Sequence, residues 1–146
     1  MPNRIHVAFV AGLLATAAFG IAQTNTQIKD VPINPTSAAS GKQMYNSYCA
    51  TCHGIDGRGS GPAAVALKDH PTDLTTLARD NGGKFPDAHI YDVLRFGVET
   101  PAHGTKDMPV WGPALRSLDQ GSSMADVIEQ QRIANLTNYL RSLQRQ

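Results

Sequence analysis

The chain has 146 residues, which points to one domain. Aromatic residues are 6% of it, charged residues 17% and hydrophobic residues 41%. A core built from so few rings is thin, which leaves a place for a non-protein group to supply apolar bulk. The formal net charge is +1 with no basic stripe, so nucleic acid is excluded as an expected partner.

The first predicted element is a leader. An apolar run from Ile5 to Ala22 follows Arg4, and Gly20-Ile21-Ala22 places small residues before Gln23. This is the pattern of a cleaved secretory signal over 1–22. The run lies at the lower edge of a bilayer span and carries His6 and Thr16, so an uncleaved anchor is the alternative. Cleavage removes Arg4 and leaves 12 basic against 12 acidic residues. No later stretch has the length and apolarity of a span.

Residues 23–39 are polar, contain two prolines and lack periodicity, so they read as an irregular arm or linker. The expected domain is 40–146. A helix should start at Ser37 or Ser40, each a possible N-cap, with Gly41, Tyr45 and Tyr48 on one face leading into Cys49 and Cys52. GIDGRGSGP (54–62) has four glycines in nine residues and cannot be regular. Thr72 to Arg79 reads as a short helix capped by Thr72 or Asp73. Pro86 opens another, with Ile90, Val93 and Leu94 as its buried side and Gly97 as its stop. Residues 98–113 read as loop. Ser123 with Asp126 is a capping-box signal for a last helix to about Leu143, whose Ile133, Leu136, Leu140 and Leu143 follow helical spacing. No stretch alternates as a strand does, so the fold class is all-α with long loops.

Residues 49–53 read CATCH and hold both cysteines of the chain. A disulfide here would close a tiny loop, where the entropic gain is smallest, and a redox CxxC wants a βαβ context that is missing. A structural zinc needs two more ligands, but no further cysteine exists and His70, His89 and His103 are isolated. Covalent haem attachment has CxxCH as its signature. Each thiol adds to one vinyl group, two intervening residues on a helical turn bring both sulfurs to one ring, and the next residue aims its imidazole at the iron. On this reading Cys49 and Cys52 hold one haem c, and His53 is an axial ligand.

The sixth position decides what the iron does, because a protein ligand favours electron transfer and an open site favours small-molecule binding. The candidates are Met108, His70, His89, His103 and Met124. Met44 lies on the attachment helix and cannot reach round. Met108 is preferred. It sits in a Pro- and Gly-rich loop beside Pro109 and Trp111, and a thioether is a soft ligand suited to haem iron. A loop methionine is otherwise a gap-filler. His103 is the runner-up.

GKQMYNSYCATCHG, GSGPAA, DMPVWG and LTNYLRSL together resemble class I monohaem c-type cytochromes of the exported bacterial kind, over about residues 40–144. The resemblance implies a cytochrome c fold in which the first and last helices cross, with Gly41 and Tyr45 meeting Leu136, Tyr139 and Leu140. It implies that the carbonyl of Pro62 accepts a hydrogen bond from His53, that Met108 is the second axial ligand, and that Tyr48, Leu74, Arg95 and Trp111 border the haem or its propionates. The implied function is one-electron transfer between redox-partner proteins, periplasmic or otherwise exported, with no enzymatic activity of its own. The rivals are a cytochrome subunit of a larger oxidoreductase and a haem sensor with a labile sixth ligand.

Overall fold

The computed structural model describes residues 33–97 and 108–145. The expected leader, most of the N-terminal arm and His103 lie outside the described residues. The first helix, α1 (Gly41–Met44), starts at Ser40, whose hydroxyl accepts from the Gln43 amide at 3.1 Å. Of the two expected caps, Ser40 is the one used. A single π-helical stretch, Tyr45–Cys49, follows, and then α2 (Ala50–His53). The wider turn takes Tyr45 and Tyr48 off the shared face that 3.6-residue spacing predicts. Tyr45 is fully buried against Tyr139, with ring centroids 5.3 Å apart. Tyr48 instead stacks on Trp111 at 5.5 Å.

Residues 54–63 form a loop interrupted by no regular element. It folds back on α2: Gly61 N–H donates to Cys52 O at 3.0 Å and Ala63 N–H to Thr51 O at 2.9 Å. A Cβ on Gly61 would run into the α2 backbone, with the Cys52 carbonyl carbon only 2.7 Å away. One 3-10 turn, Ala64–Ala66, leads to an extended stretch and then α3 (Leu77–Asp80). The expected helix from Thr72 forms only over its last part. Asp73 accepts from the Thr75 amide at 2.8 Å, a local turn bond that competes with helix in the preceding residues.

Helix α4 (Asp87–Phe96) follows Pro86 and ends at Gly97 as its pattern predicts; of the expected buried side it buries Ile90 and Leu94, while Val93 is only partly buried. Helix α5 (Trp111–Ser117) opens Trp-Gly-Pro, residues 111–113, which end the stretch expected as loop. Those residues occupy its first turn, where the amide that proline lacks would have no helical partner in any case. Helix α6 (Ala125–Ser142) buries Ile133, Leu136 and Leu140. Its expected capping box does not form. The helix starts one residue late for it, with Met124 at the cap and no side-chain bond there. Ser122 Oγ takes the Met124 amide at 3.1 Å, and Asp126 pairs with Arg116 of α5 at 2.8 Å. No strand occurs among the described residues, so the fold is all-α.

Helix α6 packs on α1, α4 and α5, and α4 also packs on α5. The crossing with α1 is close enough to require glycine at 41: an added Cβ would overlap the Asn135 carbonyl and sit 2.9 Å from Tyr139 Cβ. Two partly buried ion pairs brace the same helix. Glu129 meets Arg95 of α4 at 3.1 Å, and Arg132 meets Asp119 at 3.1 Å. Arg132 also donates to Thr36 O at 2.8 Å, Asn135 to Ala38 O at 2.9 Å, and Tyr48 to Asn34 O at 2.6 Å. Carbonyls of residues 34–38, ahead of α1, are thus tied down by side chains of the helical body.

Candidate functional site

The motif turn is short because its ends are held. Gly54 N–H closes α2 on Ala50 O at 2.9 Å, and the buried Tyr45 hydroxyl donates to Gly54 O at 2.7 Å. Both cysteines are free thiols. Cys49 is buried, and burial pushes its thiol up to about 12, with Cys52 adding to the rise. It is a neutral S–H in this packing and no thiolate metal ligand. Cys52 is partly exposed.

The His53 ring is oriented by its Nδ1, which lies 3.1 Å from Thr72 O. A carbonyl can only accept, so Nδ1 carries the proton and Nε2 keeps its lone pair. Burial lowers the imidazole's proton affinity and the Thr72 bond partly restores it, with the net shift downward. The ring is therefore neutral at pH 7, the state a metal ligand needs. The accepting carbonyl is Thr72, not Pro62 as the resemblance implied. Pro62 is in the loop that hydrogen-bonds to the α2 backbone through Gly61 and Ala63, which directs that turn at the helix rather than at the ring.

A cavity of about 330 Å³ opens beside this turn. Cys49 and His53 border it from the motif, Leu74 and Leu77 from the next segment, Ile90, Val93 and Leu94 from α4, Leu140 from α6, and Met108 from the segment before α5. Thr72 and His89 complete the wall. The Cys49 thiol, a neutral imidazole, an apolar wall and a thioether thus border one space, and Cys52 is not in its wall.

Residues 36–140 match the family described as cytochrome c oxidase, cbb3-type, subunit III. The chain belongs to that family. No curated protein matches it. The chain is a c-type cytochrome, an electron-transfer module that binds haem c covalently, with Cys49 and Cys52 spaced as that attachment requires.

The cytochrome's cavity fits such a group by chemistry. Its wall is mainly aliphatic, as a flat apolar macrocycle demands, and its polar donors are the soft or neutral kind that iron accepts. Among the described residues no three His, Cys, Asp or Glu side chains come together as a metal cage. Of the sixth-ligand candidates, Met108 and His89 border the cavity. Met44 is fully buried in the α1–α6 core, and Met124 is half exposed at the start of α6. His70 turns its Nδ1 to Pro71 O at 2.9 Å.

The weaker pocket assignments divide. Leu74 is in the wall. Tyr48 and Trp111 pack on each other. Arg95 is not in the wall at all: it pairs with Glu129 and lies 5.2 Å from the Phe96 ring centre. A buried carboxylate across the helix interface holds that guanidinium more strongly than solvent does, and nothing in the sequence near Arg95 marks a residue 34 positions away as its partner.

Sequence reasoning missed the segment that presents Thr72. Asp73 accepts from the Thr75 hydroxyl at 2.6 Å and from Arg145 at 3.1 Å. The Thr75 hydroxyl, the Thr75 amide and the Arg145 guanidinium hold the Asp73 carboxyl below the usual carboxylate range. The folded cytochrome therefore keeps Asp73 ionised to lower pH than the unfolded chain does. Its contribution to stability is present above the unfolded value of about 3.9 and is lost as pH falls through the folded value. Asp73→Asn is expected to flatten the fall of stability in that acid window, read by urea unfolding at successive pH values. An unchanged slope would show that Asp73 gains nothing from these partners.

Proposed function

We propose that this cytochrome is a monohaem one-electron carrier of the class I kind, with His53 Nε2 and Met108 Sδ as axial ligands and thioethers at Cys49 and Cys52. The observation that carries the reading is the shared cavity: His53 and Met108, 55 residues apart in the chain, border the same apolar space as Cys49. Bound haem supplies an iron that takes up and releases one electron.

The chain's residues do the rest. Thr72 O orients the His53 ring and keeps its proton on Nδ1, so that Nε2 is the ligating atom. The thioether of Met108 is a weaker donor than imidazole and favours the ferrous state relative to a second histidine. Leu74, Leu77, Ile90, Val93, Leu94 and Leu140 exclude water, which limits solvent rearrangement as charge changes.

The domain boundaries proposed with this function are a leader over 1–22, an arm over 23–39 and the cytochrome domain over 40–146. The proposed location is exported, facing protein redox partners. No helix among the described residues is long and apolar enough to cross a membrane. A second reading is favoured by the family match, whose description is of an oxidase subunit: the chain acts as the haem-bearing subunit of a larger oxidoreductase. Co-purification of a catalytic subunit with the tagged chain would favour the subunit, and a monomer exchanging electrons in solution the free carrier.

Spectra of the oxidised and reduced holoprotein test the ligation. Wild type is expected to be low-spin with the weak red methionine-to-iron band, and Met108→Ala is expected to lose that band and turn high-spin. A low-spin spectrum unaltered by Met108→Ala would remove Met108 and bring His89 or His103 forward. A high-spin wild type would support the sensor with an open site.

A further inference from the structure

We infer that Gln144 and Arg145, just beyond the end of α6, are positioning residues for the haem-ligating histidine, acting through the backbone of residues 72–78. The inference rests on the ligation proposed above. The carbonyl on His53 Nδ1 belongs to Thr72, which has no helix to hold it: α3 begins at Leu77. Something else must fix that backbone if the bond is to keep one length and direction.

The C-terminal residues supply the fixing contacts. The Gln144 side chain donates to Leu74 O at 2.7 Å and to Leu140 O at 2.9 Å, and accepts from Ala78 N–H at 2.8 Å. Both its amide hydrogens are used, one toward the loop and one toward its own helix. It therefore sews the segment to the end of α6. Arg145 adds a second set: its amide donates to Thr75 O at 2.9 Å, its Nε to Thr75 Oγ1 at 2.8 Å, and its guanidinium meets Asp73 at 3.1 Å. Thr75 is 3% exposed, so the Arg145 bonds to it are shielded from competing water. From the other side, Leu74 N–H donates to Gly57 O at 2.7 Å, in the loop directly after the motif. The segment between Thr72 and Ala78 is thus held at one edge by the motif loop and at the other by the C-terminus.

The consequence concerns the electron, not only the fold. A hydrogen bond from the free ring nitrogen of a metal-bound histidine sets ring orientation and raises ligand basicity. A more basic imidazole stabilises the ferric state. Loosening the segment lengthens the His53–Thr72 bond, weakens that donation and shifts the equilibrium toward ferrous iron. The Nδ1 proton, no longer held, also exchanges faster with solvent.

The test uses full-length holoprotein carrying Gln144→Ala or Arg145→Ala, with Arg145→Lys as the conservative variant and Ser40→Ala as a control that loses stability at a cap remote from the segment. The reduced fraction at a fixed applied potential and the solvent exchange of the His53 Nδ1 proton, by NMR of the diamagnetic ferrous form, are measured. Both are expected to rise several-fold in the alanine variants, less in Arg145→Lys, and to stay unchanged in Ser40→Ala. Arg145→Ala removes fewer bonds than Gln144→Ala and remains informative if the latter does not fold. A low-spin wild type whose potential and proton exchange are the same in both alanine variants overturns the positioning role while leaving the ligation intact. A wild type without His53 on the iron overturns the ligation itself.

Discussion

Gly41→Ala is expected to destabilise the holoprotein by about 3 kcal/mol, the upper part of the range for overpacking a closed interface. The added methyl has no free direction. It would overlap a backbone carbonyl, Asn135 O, and press on Tyr139 Cβ at 2.9 Å, neither of which is the far end of a flexible side chain. Helices α1 and α6 would have to separate. That movement also pulls on the Tyr45–Tyr139 ring contact and on the Asn135 bond to Ala38 O. Ser40→Ala, one residue earlier, removes only the cap bond to Gln43 and should cost about 1 kcal/mol. Urea unfolding of both variants checks the ordering. A Gly41→Ala protein no less stable than Ser40→Ala would mean that the two helices do not cross at this distance.

The double substitution Cys49→Ala with Cys52→Ala is expected to abolish covalent haem, so that none remains with the polypeptide on denaturing electrophoresis. The loss should extend to the fold. Without its group, the lining of a cavity of about 330 Å³ loses its packing partners. At about 24 cal/mol per Å³ this amounts to at most about 8 kcal/mol. A whole domain of this kind has a net stability of about 5–15 kcal/mol, so the cofactor term is of the same size as the margin that keeps the chain folded. Cooperative unfolding should vanish in the double variant, while either single variant keeps one attachment point. Haem retained through denaturation in the double variant would place the attachment elsewhere.

Residues close in sequence are where reading without coordinates succeeds. CATCH carries its chemistry in five consecutive residues, because two thiols and an imidazole on one turn need only the local backbone to converge. The apolar spacing of Ile90 with Leu94, and of Ile133, Leu136 and Leu140, is likewise a local property of a helix, and those side chains are the buried ones. Errors arose where local signals compete. The Trp-Gly-Pro opening of α5 looks like a breaker and is tolerated because it falls in a first turn. Ser123 and Asp126 look like a box, and Arg116 draws Asp126 away.

From its sequence alone this chain is all-α and marked for one haem by the CxxCH spacing of Cys49, Cys52 and His53. Only the tertiary structure decided that His53 turns to Thr72 rather than Pro62, that Arg95 answers Glu129, and that Gln144 and Arg145 reach back to residues 73–78. The physical reason is separation. Partners within one turn are set by backbone geometry that every sequence shares, whereas a carbonyl 19 residues away or a carboxylate 34 residues away is selected by how whole segments pack.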